Sequence, residues 1–323
     1  MAASRNTPPS SLPARVAAFL AARKAGGGRL SVGLSGGCDS VVLLHLLVAA
    51  GFGDRLDAVH VHHGLSPNAE SWAGFCADYC RRLGVACHVA HVDVDRSSGL
   101  GPEAAARTAR YEAFAALAAD TLLLGHHQGD QAETLLFNLL RGSGVTGAAA
   151  IPVDRREGRL RILRPLLGVS REEIEAYAQA HGLAWVDDES NADTALARNF
   201  LRHEVLAAIA GRFPAAERNL AQAAGHFAEA DVLLGELAAS DWQVAADGDA
   251  LSLAKLRAMS LPRLKNLLRH RLRLLGWRVP AAARLDEFAR QLQCAGSDRH
   301  PALDLAEGSM VAGRGRLRWV GRG

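Results

Sequence analysis

Between residues 30 and 181 short apolar runs alternate with segments of helical period, and this alternation restricts the fold more than any other feature of the chain. Residues 30–34, 57–62, 85–94, 121–125 and 160–167 read as strands. Residues 41–50, 68–83, 102–119, 130–141 and 170–181 read as helices. Pro102 suits a first helical position, and Ser170 with Glu173 spells a capping box. Strand–helix–strand order at this spacing requires right-handed crossovers, and therefore a parallel sheet covered by helices on both faces. The expected class is α/β, with a Rossmann-like parallel sheet. In such sheets ligands bind beyond the carboxyl ends of the strands. Three unusual polar segments, at residues 35–40, 62–64 and 126–133, follow strands and should converge on one rim.

The pattern changes after Pro214. Residues 216–239 read as one long helix, Asp247-Gly248-Asp249 as a turn, and 261–275 and 280–294 as further helices. Short strands close the chain near residues 303–305, 310–312 and 317–320. A chain of 323 residues suits two cores. The expected organisation is a flexible arm over 1–27, a catalytic domain over 28–215, and a smaller, mainly helical domain over 216–323 that contacts nucleic acid.

Charge supports that division only weakly. Residues 1–215 carry 21 basic against 22 acidic side chains, and residues 216–323 carry 16 against 12. The densest basic run is Lys255, Arg257, Arg263, Lys265, Arg269, Arg271 and Arg273, which reads equally as a solvated helix face or a phosphate-contacting one. The longest apolar run, residues 41–50, contains His45 and is too short to span a bilayer, so no membrane partner is expected. The first residues lack an apolar signal core, and the five cysteines are an odd number, which together point to a reducing, cytoplasmic setting. Cys76 and Cys80 stand four apart without a Cys-x-x-Cys pair, so they read as buried thiols rather than metal ligands.

The segment Ser35-Gly36-Gly37-Cys38-Asp39-Ser40 leaves an apolar strand and enters an apolar helix. Its glycines let backbone N–H groups approach an anion closely, and the helix presents its positive end to it. Ser35 and Ser40 add hydroxyl donors, and Asp39 can hold a Mg2+ ion bridging phosphates. A lone Ser-Gly-Gly turn before a helix would be structural; the Asp-Ser completion and the strand–helix context favour phosphate binding. No Gly-Lys-Ser/Thr follows, which disfavours kinase-type transfer. The loop resembles that of the PP-loop, N-type ATP pyrophosphatases, whose pattern is Ser-Gly-Gly-x-Asp-Ser. That resemblance implies ATP as substrate, adenylation of an oxygen, and pyrophosphate as the leaving group.

A second segment runs Gly125-His126-His127-Gln128-Gly129-Asp130-Gln131-Ala132-Glu133-Thr134. On a helix His126, Asp130 and Glu133 would share one face, although Asp130 could equally be a helix cap. No His-Glu-x-x-His arrangement is present, and the oxygen donors suit magnesium better than zinc. Taken with the first loop, with His60-Val61-His62-His63-Gly64-Leu65, Trp72, Cys76, Glu103 to Arg107, Arg110-Tyr111, Arg141 to Gly144, Arg164 to Leu167, Asp188 to Asn191 and Arg198 to Arg202, the chain resembles the tRNA(Ile)-lysidine synthetase family. Ser66 stands where a basic residue is common in that family. The chain resembles its shorter members, with only the first C-terminal domain expected.

The resemblance implies a carbon–nitrogen ligase. ATP adenylates the C2 oxygen of the wobble cytidine in the CAU anticodon of tRNA(Ile), and the ε-amine of free L-lysine displaces AMP. It places Asp39, Arg107, His126, Asp130 and Glu133 in catalysis. Asp130 and Glu133 suit a cationic substrate or a second metal contact, Arg107 suits the α-phosphate, and His126 suits the phosphate or the activated base. An ion pair between Arg107 and Glu103 is the structural alternative. Arg141, Arg198 and Arg202 are candidates for RNA at the rim, and Lys265 and Arg269 for RNA on the basic helix; a homodimer is compatible with this reading. Two alternatives remain: a different PP-loop tRNA modifier such as a 2-thiocytidine synthetase, and a tRNA- or nucleotide-binding protein without turnover.

Overall fold

The computed structural model describes residues 11–25, 27–94, 102–116, 119–189, 193–294 and 300–322, and the side chains of 102–104 lie outside the description. Residues 1–10 and 26 of the arm expected at the N-terminus lie outside the described residues, as do Ser190 and Asn191 and the side chain of Glu103. Residues 12–22, which that arm was expected to include, instead form helix α1 (Leu12–Ala22), and its Val16 and Leu20 are buried in the main core. The i, i+4 spacing of those two residues, with Leu12 packed beside them, gives the segment an apolar face that a disordered arm would leave in water.

Strand β1 (Leu30–Gly33) leads into helix α2 (Cys38–Ala49), and β2 (Leu56–His62) into α3 (Ala69–Leu83). Next come β3 (Ala86–His91), α4 (Pro102–Ala115), β4 (Thr121–Leu123) and α5 (Gln128–Leu140). A short α6 (Val145–Ala148) precedes the hairpin of β5 (Asp154–Glu157) and β6 (Leu160–Leu163), and α7 (Arg171–Ala180) follows. The sheet order is β3-β2-β1-β4-β6-β5, parallel except for the edge strand β5. Helix α2 is apolar nearly all round and is accordingly buried. It packs with α1, α3 and α7 in the larger core, while Val59, Phe114, Leu122, Leu124 and Ile162 form a second cluster. Strand order reverses at β1, whose neighbours are β2 and β4. The crevice beyond the carboxyl ends of β1 and β4 is therefore the expected ligand position.

Helix α8 (Ala197–Phe200) continues through a wide π-helical turn at Leu201–Leu206 into α9 (Ala207–Arg212). The long α10 spans Ala216–Ala245. The chain forms two compact units, Met1–Ala228 and Glu229–Gly323, so the division falls inside α10 rather than at residue 215. The reason is packing: Leu220, Ala223, Ala224 and Phe227 at the start of α10 join Leu135 and Ala148 in a small cluster of the first unit.

In the second unit β7 (Ala246–Asp247) and β8 (Ala250–Ser252) flank the turn, and α11 (Leu253–Arg257), α12 (Leu261–Leu274) and α13 (Ala282–Cys294) follow. Strands β9 (Ala302–Asp304), β10 (Gly308–Gly313) and β11 (Arg316–Gly321) complete an antiparallel sheet of order β7-β8-β11-β10-β9. Leu264, Leu267, Leu268 and Leu272 of α12 are buried against Phe288 and Leu292 of α13 and Met310 of the sheet. Among the described residues no helix is long and apolar enough to cross a membrane.

Candidate active site

The loop after β1 is held by its own hydroxyls. Ser35 N–H donates to Ser40 Oγ (3.2 Å), Gly37 N–H donates to Ser35 Oγ (3.3 Å), and Ser40 Oγ donates to the Gly37 carbonyl (2.9 Å). Gly36 adopts φ +92°, which L side chains rarely tolerate, so the turn requires glycine there. Gly125, at the exit of β4, passes close to the same loop: a Cβ there would lie 3.0 Å from the Asp39 carbonyl carbon and oxygen. The two loops of the switch point thus touch through glycine. Burial pushes the Cys38 thiol up to about 11, so this residue contributes its backbone and not a thiolate.

Asp39 sits on the first turn of α2. Arg171 Nη1 donates to both of its carboxylate oxygens, at 2.7 and 2.8 Å, and His127 Nε2 lies 3.9 Å from Oδ2. Burial raises the Asp39 carboxyl, against the pull of His127 and Arg171. His127 Nε2 is also 3.9 Å from Asp130 Oδ2, so one imidazole bridges the two acids. Its Nδ1 accepts the Gly129 N–H at 3.0 Å, which leaves Nε2 as the protonated nitrogen facing the carboxylates. Arg171 and His127 were not among the sequence candidates. Glu217 was also missed: its Oε1 lies 3.0 Å from where a Gly129 Cβ would stand, and burial raises its carboxyl.

Helix α5, read from residue 130, begins at Gln128, because His127 and Asp130 close a capping box in which Asp130 Oδ2 accepts the His127 N–H at 2.8 Å. His126 therefore does not share a helical face with Asp130 and Glu133, contrary to expectation, and Asp130 does cap the helix. Its other oxygen faces Arg202 at 3.5 Å, and Arg202 also donates through Nε and Nη2 to Glu133 at 2.5 and 3.0 Å. Burial raises the Glu133 carboxyl, with the Arg202 hydrogen bonds and charge opposing. The Arg202 guanidinium thus lies between two carboxylates. The π-helical turn at 201–206 carries Arg202, and such turns recur at functional sites.

His126 lies at the end of β4 beside Arg164, a fully buried arginine. Arg164 Nε donates to His126 Nδ1 (3.2 Å) and Nη1 to the Pro152 carbonyl (2.6 Å). Burial pushes His126 down to about 4, Asp130 opposes, and Arg164, Arg107 and Arg110 push in the same direction as burial. His126 is neutral at physiological pH. The unfolded chain then binds more protons than the folded one between about pH 4 and 6.5, so stability rises with pH across that window and is lost as pH falls through it. His126→Gln should flatten this slope; urea midpoints at pH 5 and 7 that keep the wild-type difference would contradict the assignment.

Arg107 is exposed and stacks on the Tyr111 ring at 5.1 Å, and Arg141 caps α5 and stacks on Phe137 at 5.1 Å. Arg198 is half-buried on α8. Within the second unit Lys265 pairs with Asp286 at 2.9 Å, Arg263 pairs with the buried Asp241, Arg273 lies 3.5 Å from Asp231, and Arg271 stacks on Trp242 at 4.3 Å. Much of the basic run is thus committed to structure, and half-buried Arg269 adds its charge beside Asp286. Cys76 is buried 3.4 Å from His60 Nδ1, and burial pushes its thiol up to about 12.

A switch-point loop of this kind defines a PP-loop domain, and a family profile described as "PP-loop domain" matches residues 10–209. A second, "TilS substrate binding domain", matches residues 251–318. The chain is 51% identical over 282 residues to a tRNA(Ile)-lysidine synthase of Aromatoleum aromaticum, covering 86% of this chain and 65% of that protein. It is 44% identical over 316 residues to a tRNA(Ile)-lysidine synthase of Pseudomonas aeruginosa, covering 92% and 70%. The chain belongs to the PP-loop domain family and, within it, to the tRNA(Ile)-lysidine synthase family. It spans 65% of the length of the Aromatoleum relative. Among solved structures the U34-tRNA thiolase NcsA of Methanococcus maripaludis, determined with its 4Fe–4S cluster, shares the fold at TM-score 0.55 and 16% identity, covering 68% of this chain and 78% of that one.

Proposed function

We propose that this chain is an ATP-dependent ligase that converts the wobble cytidine of a CAU-anticodon tRNA(Ile) to lysidine. The observation that carries the reading is the Asp130–Glu133 carboxylate pair, which holds a guanidinium beside the phosphate loop. The relatives' printed function supports the choice of substrates.

The first step forms a bond from the cytidine C2 oxygen to the ATP α-phosphorus and breaks the bond to pyrophosphate. The loop's N–H groups, the start of α2 and the two serine hydroxyls hold the triphosphate. Asp39 and Asp130 are hard oxygen donors on either side of His127 and fit a Mg2+ ion, which when bound would neutralise the phosphates as charge moves to the leaving group. Asp39 would have to leave Arg171, which now holds both of its oxygens, to serve that ion. Arg107 is the proposed contact of the α-phosphate, and neutral His126, held by Arg164, is proposed to offer Nε2–H to the phosphate or the base.

In the second step the lysine amine attacks C2, the C2–O bond breaks, and AMP leaves. An ammonium with an ordinary pKa of about 10.4 must lose one proton before it attacks and a second once the C–N bond has formed. Asp130 and Glu133 are proposed to bind it in place of Arg202, one of these carboxylates accepting the first proton, while the second leaves to solvent as AMP departs. Incubation with ATP, lysine and the tRNA should add one lysyl mass to a cytidine, read by nucleoside mass spectrometry. Turnover that does not require lysine would overturn the reading.

RNA presents its unpaired anticodon to this rim, since sequence-specific recognition needs splayed bases. Arg141, Arg198 and Arg269 are the proposed phosphate contacts, and Lys265 joins them only at the cost of its bond to Asp286. Arg141→Glu and Arg269→Glu should each weaken tRNA binding several-fold and lower its salt slope by about one, with ATP affinity unchanged. An unaltered salt slope would return both to the solvated surface. A homodimer belongs to the same proposal and is checked by light scattering with and without tRNA.

A further inference from the structure

A cleft of about 440 Å³ opens at the end of β2 and β3, lined by His62, His63, His91 and Asp93 among others. His62 and His91 are register partners on the two parallel strands, and their rings lie 4.7 Å apart between centroids. Glu70, on the first turn of α3, brings Oε1 to 3.2 Å from His62 Nε2. The His62 side chain is 10% exposed, and its Nε2 is buried without a hydrogen bond, because the short approach to Glu70 is poorly aligned for one. One donor atom each from His62, Glu70 and His91 lies within 4.8 Å of the other two, the only such His/Cys/Asp/Glu group among the described residues.

A buried, unbonded imidazole nitrogen is costly, and a Lewis acid is one group that would satisfy it. Tetrahedral zinc with ligands at about 2.0–2.1 Å places them about 3.3 Å from each other, close to the His62–Glu70 separation. Glu70 and His91 are exposed, so small side-chain rotations bring the third donor in. Two imidazoles and one carboxylate favour a borderline-soft ion over magnesium. His63 is not in the group: Arg110 takes its Nε2 at 3.4 Å, and its Nδ1, though buried and unbonded, does not lie within 4.8 Å of all three donors.

We propose that His62, Glu70 and His91 bind one zinc ion, with the cleft leaving the fourth position to water. The ion ties edge strand β3 to β2 and to the start of α3. None of its three ligands is Asp39 or Asp130, and the nitrogen-rich donor set differs from that oxygen-rich pair in the ion it prefers.

The test uses the full chain, stripped by a chelator and held in excess Mg2+ to saturate the acidic site. Zinc is titrated against a chromophoric zinc chelator. One zinc per chain is expected to compete. His91→Ala and Glu70→Ala should each weaken zinc affinity by at least about tenfold, the lower end of what even outer-shell partners cost. His62→Ala/His91→Ala should abolish it. Zinc should also raise the thermal midpoint of the wild type and not of the double variant. Both single changes are at exposed side chains, so they report binding even if His62→Ala fails to fold. Absence of competition by the wild type, or undiminished affinity in both His91→Ala and Glu70→Ala, would overturn the proposal.

Discussion

Asp39→Ala should lower ATP–pyrophosphate exchange by on the order of 10²–10³-fold, the range for removing one group that meets developing charge in a transition state. The carboxylate stands on the first turn of α2, beside the loop serines, with Arg171 on both of its oxygens and His127 3.9 Å away. Its side chain belongs to the rim and not to the apolar core, so circular dichroism and the thermal midpoint should stay near wild type. Arg171→Ala distinguishes two explanations. If Asp39 matters only because it anchors Arg171, the two variants lose exchange equally. If Asp39 acts on phosphate through a metal, Arg171→Ala retains much more activity and does not show the raised magnesium requirement expected of Asp39→Asn. Exchange by Asp39→Ala at the wild-type rate would remove Asp39 from the mechanism altogether.

The phosphate loop was legible because its information is local. Two glycines, flanking serines and the change from strand to helix lie within a few residues, and Gly36 at φ +92° meets the need that the spacing implied. The strand–helix alternation was legible for the same reason. The partners of the acids were not. Arg171 and Asp39 are 132 positions apart, and Arg202 and Glu133 are 69 apart, so neither pairing leaves a periodic trace. Arg202 was expected near the rim as an RNA contact, and the partner it has there is Glu133. One signal was available and unread: Arg164 interrupts an otherwise apolar strand exit, and a charged residue there must find partners, as it does in His126 and the Pro152 carbonyl. The N-terminal helix was readable too, from the spacing of Val16 and Leu20. The helix read over 130–141 starts two residues earlier, and His126 falls off its face, because a histidine is an unusual N-cap and only the contact of His127 with the Gly129 N–H reveals that role.

Arg202→Ala is expected to destabilise the chain at neutral pH by about 1–3 kcal/mol. Removing one partner of a buried ion pair costs about 3–5 kcal/mol, and Arg202, with its side chain 39% exposed, is discounted for screening by solvent. Glu133 is left with 5% exposure and no counter-charge of that quality, next to Asp130. Burial already raises its carboxyl, and losing the guanidinium raises it further. The sign follows. The variant's deficit is largest where Glu133 must be ionised, and it shrinks as pH falls and the carboxyl takes up a proton in the folded state. Glu133→Gln in the Arg202→Ala background should therefore recover much of the loss, because a neutral amide needs no counter-ion. Urea unfolding at pH 7 and pH 5 for the two single variants and the double variant measures the coupling. Strict additivity, or a deficit that grows on acidification, would mean that Arg202 is held by RNA-facing contacts and not by Glu133. The same cycle run on the lysine KM reads the functional side. If the guanidinium occupies the ammonium's place, Arg202→Ala binds lysine more tightly, whereas Glu133→Gln binds it more weakly.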